Sequence, residues 1–352
     1  MAKNMEDYIA EITSVYLQNL NGREQLTSAL IKVLKDHGIQ EKELTIVASG
    51  SSHNAALCAL PFLQKYIGPH TRLITPFEYI YYETVRENVI YLFVSQSGYS
   101  TNILKAVKEH KAKNRIALGI TGNRASDLGK EADICFEYGV GEETVGYVTK
   151  GMSVLILFFM LLGLELSVDK SSEEYNMIVK DIQTAAKAHN IVYNQSKRFC
   201  LINKEKFINM KNAFLIAGGA NMGTVSEGSL KISEMVHIQT TAYEIEEFIH
   251  GPDLQLTPED TLFFTSAEDE AKKRIVQVYQ AAKHITENAF LIQMGDVKVD
   301  QIYSPLYLTA FYQYLAFFVA REKGITSEHP LHEKFEQIVH CKSEGYTEST
   351  PF

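Results

Sequence analysis

The chain has 352 residues, 45% of them hydrophobic, enough for two domains of roughly 150–170 residues and too long for one ordinary domain. A formal charge of −9 and the lack of any basic run argue against a nucleic acid or a membrane surface as partner. The four cysteines (Cys58, Cys135, Cys200, Cys341) form no CxxC pair, so neither a disulfide frame nor a zinc site is signalled, which suits a reducing cytoplasm.

No apolar signal core opens the chain at Met1–Asp7, and a cytoplasmic protein is expected. Residues 3–35 read as helical, with a break at Asn21-Gly22. Leu44–Ala48 reads as a short strand, Ser49–Asn54 as a glycine-serine turn, and Ala55–Tyr66 as a helix. A strand near Leu73–Thr75 and a helix around Pro76–Glu78 follow, then the apolar strand Val89–Phe93 and a helix from Asn102 with Ala106, Ile116 and Leu118 available for the core. Ile116–Thr121 and Ile134–Glu137 are further strands. Met152–Leu166 is nearly all apolar, yet at about fifteen residues it falls short of the roughly twenty that span a bilayer, and reads as a core helix. Strands alternating with helices at this spacing predict a parallel sheet covered on both faces.

Residues 168–212 are polar and helical, a connector. The pattern then repeats: strand Ala213–Ala217, glycine turn Gly218–Gly223, a long helix, and strands at Thr240–Tyr243, Leu262–Thr265 and Phe290–Ile292, with Ser266 following the second of these. The order matches the first half and reads as an internal duplication of one α/β unit. A last strand is expected at Tyr303–Tyr307, then a helix from Leu308 to Lys323 and a polar tail that crosses a neighbouring surface.

Two stretches carry candidate chemistry. In Val94-Ser95-Gln96-Ser97-Gly98-Tyr99-Ser100-Thr101, three serines and a glycine sit where a strand turns into a helix, a place suited to an anion. The loop has no lysine, so hydroxyls and amides have to hold a phosphate there; taken alone, it reads rather as a serine-rich helix cap. Ligands of parallel sheets lie at the carboxyl ends of strands, and Ser49–Ser52 also lies at such an end. In the second half, Glu227, Lys231 and Glu234 share one helix face, either a solvated salt-bridge face or part of an enclosed site. His250-Gly251-Pro252 follows sixteen residues after Glu234. A buried carboxylate with an imidazole can move a proton beside a carbonyl.

Ser-Gln-Ser-Gly, Glu-Gly-x-Leu-Lys-x-x-Glu and the later His-Gly-Pro, in this order, resemble the isomerase half of glucosamine-6-phosphate synthase and, more widely, the double sugar-isomerase (SIS) domain family. The resemblance covers nearly the whole chain. It implies an α/β fold of two tandem flavodoxin-like SIS domains, each a parallel sheet covered by helices on both faces, a homodimer with a shared active site, and a phosphorylated sugar as ligand, with no metal or organic cofactor. The implied divisions are an N-terminal helix (1–25), SIS domain 1 (26–170), a helical connector (171–200), SIS domain 2 (201–328) and a tail (329–352).

Carried onto this sequence, the resemblance makes Ser52, Ser95, Gln96, Ser97 and Ser100 the sugar-phosphate cradle. Glu234 becomes the base that moves a proton between C1 and C2, and His250 the ring-opening group, reached from the partner subunit. Lys231 and Glu227 fall on supporting positions. Thr149 and Lys150 match a Ser-Thr-Lys segment near the sugar, whose first hydroxyl is replaced here by Val148. Lys334 is the candidate for an imine-forming tail lysine, one residue early, with His329 or His332 as alternatives. Position 2 is Ala where the resemblance implies the Cys of an amino-terminal glutaminase, so a chain without that domain, a deglycase or aminosugar-phosphate deaminase/isomerase, is expected. The alternatives are a non-catalytic sugar-phosphate sensor and an ammonia-dependent synthase-like subunit.

Overall fold

The computed structural model describes residues 3–325 and 332–347. Its described residues divide into two compact units, one comprising residues 14–178 and 332–347, the other residues 3–13 and 179–325.

The first unit opens with the last eight residues of α1 (Met5–Asn21), whose earlier part belongs to the other unit, and α2 (Arg23–Asp36), separated at Gly22 as the Asn-Gly break predicts. It continues as β1 (Glu43–Ala48), α3 (Gly50–Tyr66), β2 (Arg72–Ile74), α4 (Pro76–Tyr81), β3 (Val89–Ser95), α5 (Thr101–Ala112), β4 (Leu118–Thr121), α6 (Asp127–Glu131), β5 (Ile134–Glu137) and α7 (Lys150–Ser167). The five strands are all parallel in the order β2-β1-β3-β4-β5. Every residue of β3 is buried, as a central strand covered on both faces requires. Tyr91 and Phe93 pack with Tyr79, Ile103, Val107 and Leu128 on one face. Helix α7 is apolar enough by length and composition to cross a membrane, but 89% of it is buried inside the fold, as a core helix is.

The second unit receives α8 (Glu173–Ile202), which begins in the first, then α9 (Lys204–Ile208), β6 (Asn212–Ala217), α10 (Asn221–Val236), β7 (Gln239–Glu244), α11 (Ile245–Phe248), β8 (Thr261–Thr265), α12 (Lys272–Ala282), β9 (Ala289–Ile292) and α13 (Pro305–Glu322). Its four strands are parallel in the order β7-β6-β8-β9, the first sheet's order short of one edge strand. The duplication is therefore real at the level of topology. Gly228 explains how α10 lies so close: a Cβ there would come within 2.6 Å of the Tyr312 ring on α13 and 2.8 Å of Leu215 on β6.

Three expectations are corrected. Ile116 is 51% exposed and precedes β4, which starts only at Leu118, so it takes no part in the core. Helix α3 begins at Gly50, not Ala55, placing Ser51 and Ser52 in its first turn. No strand forms at 303–307: a short 3-10 turn, Gln301–Tyr303, capped by the Asp300 carboxylate, runs into α13, and Pro305 sits at the helix's first position, where its missing N–H costs nothing. The tail groups with residues 14–178 and not with the unit of α13 that precedes it. Helix α14 (His332–Val339) ends in a left-handed His340, and residues 340–346 return along the loop after β3.

Candidate functional site

In the first unit, β3 delivers its loop at the carboxyl end of the sheet, beside the start of α3. Gly98 takes φ +76°, and a Cβ there would lie 1.9 Å from Ser126 Oγ, so the turn admits glycine alone. Serine hydroxyls then hold the loop amides: Gln96 N–H donates to Ser52 Oγ (3.3 Å), Gly98 N–H to Ser95 Oγ (3.1 Å) and Tyr99 N–H to Ser97 Oγ (3.3 Å). Ser95 Oγ donates in turn to Ser100 Oγ at 3.2 Å. Asn102 on α5 ties in the first loop by donating to Ser49 Oγ at 3.2 Å.

This pattern separates the two readings of the loop. Ser100 is the N-cap residue of α5, yet its side chain makes no capping bond. The serine hydroxyls hold the loop's own amides and do not cap α5. A hydroxyl that accepts from an amide keeps its own proton to donate, which suits an anionic ligand.

Gln96 is held from behind. Its Nε2 donates to Glu143 Oε2 (3.2 Å), and the same carboxylate accepts the N–H groups of Thr149 (3.0 Å), Lys150 (2.6 Å) and Gly151 (2.9 Å) at the start of α7. Burial pushes the Glu143 carboxyl up against the effect of these three amides. Glu143 thus links Gln96 to Thr149 and Lys150, residues far apart in sequence. Thr149 and Lys150 are buried, the first bonding Tyr147 O (2.8 Å) and the second directing its ammonium at Glu142 O (2.7 Å).

In the second unit, α10 carries the acidic and basic positions. Glu227 and Lys231 are each 1% exposed, their charges 3.3 Å apart, and Lys231 Nζ also donates to Glu234 Oε1 at 2.5 Å. Burial works against the Lys231 ammonium, but the two carboxylates outweigh it and hold the group charged well above the usual lysine range. A solvated salt-bridge face is therefore excluded for Glu227 and Lys231. Glu234, with 26% of its side chain exposed, is the most open member of the three.

His250 lies past α11, exposed, with its Nδ1 2.6 Å from Glu246 O. A carbonyl only accepts, so the neutral ring carries its proton on Nδ1 and leaves the Nε2 lone pair outward. Gly251 turns the chain there with φ +133°.

Among the predicted residues, Ser52, Gln96, Thr149 and Lys150 are joined by hydrogen bonds through Glu143, while Ser95, Ser97 and Ser100 bond within the loop that carries Gln96. Glu227, Lys231 and Glu234 form another. Lys334 is exposed on α14, as is His332, and His329 lies outside the described residues. The lysine that does reach the serine loop is Lys342, whose Nζ donates to Ser97 Oγ at 3.1 Å. Sequence reasoning missed both Glu143 and Lys342. An acidic residue among loop glycines and a lysine in a polar tail have no periodic or motif signal to mark them.

Comparison with known proteins agrees with this geometry. Residues 39–164 match the SIS domain model. The glutamine–fructose-6-phosphate aminotransferase (isomerizing) of Caldanaerobacter subterraneus subsp. tengcongensis is 24% identical, over 94% of this chain and 57% of its own length. That of Haemophilus influenzae is 26% identical over 93% of this chain and 57% of its own length, so the chain spans just over half of these curated relatives. The C-terminal domain of glucosamine-fructose-6-phosphate aminotransferase from Francisella tularensis superposes with a TM-score of 0.81 at 18% identity, covering 93% of this chain and 99% of that one. Glucosamine-6-phosphate deaminase from Thermotoga maritima does so with a TM-score of 0.69 at 20% identity, covering 88% and 95%. Both likenesses establish a shared fold.

Proposed function

We propose that the chain is a phosphosugar isomerase-type enzyme acting on an aminosugar or fructosamine 6-phosphate, a reading supported by the match of residues 39–164 to the SIS domain and by the similarity to isomerizing aminotransferases. The observation that carries this reading is the buried Glu227–Lys231–Glu234 arrangement, which leaves one carboxylate fixed yet partly open. A protein that merely binds a sugar phosphate needs the serine cradle but has no use for a base aligned by a buried ammonium.

In this reading the serine loops hold the phosphate, so that binding energy remote from the reacting carbons fixes their position. His250, through Nε2, takes the anomeric hydroxyl proton as the ring opens, acting from a neighbouring subunit. Its exposure on its own chain supports that arrangement. Glu234 removes a proton from C1 of the open-chain ketosamine, giving an enolamine, and returns it to C2. Water then adds to the resulting imine and the C1–N bond breaks, releasing a hexose 6-phosphate and an amine.

The test is exchange in deuterated water, followed by NMR, with fructose 6-phosphate, glucosamine 6-phosphate and fructoselysine 6-phosphate. Deuterium at C1 or C2, or free amine, is expected from the native protein and not from Glu234→Gln, which keeps the shape but cannot accept the proton. Binding of all three without exchange overturns the proposal in favour of a sensor.

A further inference from the structure

The serine loop contains no cation of its own, and a phosphomonoester brings nearly two negative charges. The structure supplies a cation from 245 residues away. Residues 340–346 clip to the loop as an antiparallel bridge between Ser100 and Lys342: Thr101 N–H donates to Cys341 O (3.1 Å) and Ser343 N–H to Tyr99 O (2.8 Å). Side chains fasten both ends of the clip, Thr101 Oγ1 on His340 O (2.8 Å) and Ser343 Oγ on Asp127 (2.6 Å). Gly345 passes so close that a Cβ would lie 3.1 Å from both the Asp127 carboxylate and the Tyr99 ring.

We propose that Lys342 is the cation of the phosphate cradle, carried to Ser97 by this carboxyl-terminal strap. Ser97 Oγ accepts from two donors, Tyr99 N–H and Lys342 Nζ, which occupies both its lone pairs. Its proton is left to donate to a ligand oxygen. A phosphate oxygen bound there lies in the field of the ammonium, and Tyr346, 5.2 Å away, backs the ammonium with its ring face. The strap and the loop therefore assemble one charged anion site from two ends of the sequence. The inference rests on the sugar-phosphate reading of the loop and adds the residue that neutralises the charge.

The experiment measures binding of fructose 6-phosphate and of inorganic phosphate to the full chain by calorimetry at two salt concentrations, with steady-state kinetics where turnover is seen. Lys342→Met should weaken fructose 6-phosphate roughly 10- to 100-fold and flatten the salt dependence, while Lys342→Arg stays within a few-fold of the native protein. The loss should fall on KM rather than kcat. Gly345→Val, which unseats the strap with the lysine intact, should reproduce the loss. If Lys342→Met binds as the native protein does while Ser97→Ala binds weakly, the lysine assignment is overturned and the phosphate reading survives. If the native protein binds neither probe, both fall together.

Discussion

Replacing Lys231 by methionine keeps the side-chain stem and removes the charge between Glu227 and Glu234. At the 3.3 Å separation from Glu227, the lost attraction is about 5 kcal/mol for an effective dielectric of about 20. The carboxyl can escape that loss by taking a proton, which sets a ceiling. Relative to an ordinary carboxyl near pH 4.3, protonation costs about 4 kcal/mol at pH 7.5 and about 2 kcal/mol at pH 5.5. The variant should therefore be destabilised by about 3–4 kcal/mol at pH 7.5, and by roughly half of that at pH 5.5. With no tryptophan in the chain, far-UV circular dichroism in urea reports the transition, and amide exchange of the Asn221–Val236 peptides localises it to α10. The double variant Glu227→Gln/Lys231→Met should regain most of the loss. Destabilisation that is equal at both pH values, or below about 1 kcal/mol at pH 7.5, would refute the view that Glu227 depends on this ammonium.

Two further outcomes follow from the first unit. Gly98→Ala forces an L side chain into φ +76° and against Ser126, so it should cost about 1–3 kcal/mol of stability and displace the cradle; fructose 6-phosphate affinity equal to the native value contradicts this. His110 is buried beside Phe93 and hydrogen-bonded to the Tyr79 hydroxyl at 2.6 Å, and burial pulls its pKa down to about 4. The unfolded chain then binds the extra proton between pH 6.5 and 4, so the contribution, at most about 3 kcal/mol, is complete above pH 6.5 and is lost as pH falls toward 4. His110→Gln should flatten the slope of urea stability in that window, and an unchanged slope contradicts the assignment.

Much of the architecture was legible in the sequence because it is written in local pattern. The short apolar run Val89–Phe93 can only be a strand buried on both faces, and the recurrence of strand, glycine turn and helix after residue 212 marks a second sheet of the same topology. The errors lie where local pattern is ambiguous. Ile116 looks like the start of a strand until Leu118 sets the register, and Tyr303–Tyr307 looks extended until Pro305 starts a helix.

The serine loop, the Glu-Lys-Glu face and the His-Gly-Pro turn were visible as motifs, because each packs its polar residues into a few positions. Spacing alone favoured a solvated face for Glu227 and Lys231; only the packing of α10 against α13 and β6, permitted by Gly228, removed them from water. Glu143 and Lys342 were invisible for a different reason. Each acts across a long loop of chain, Glu143 on Gln96 47 residues earlier and Lys342 on Ser97 245 residues earlier. Such contacts leave no local trace in the sequence, since their geometry exists only once the sheet has set the loop and the strap has closed on it.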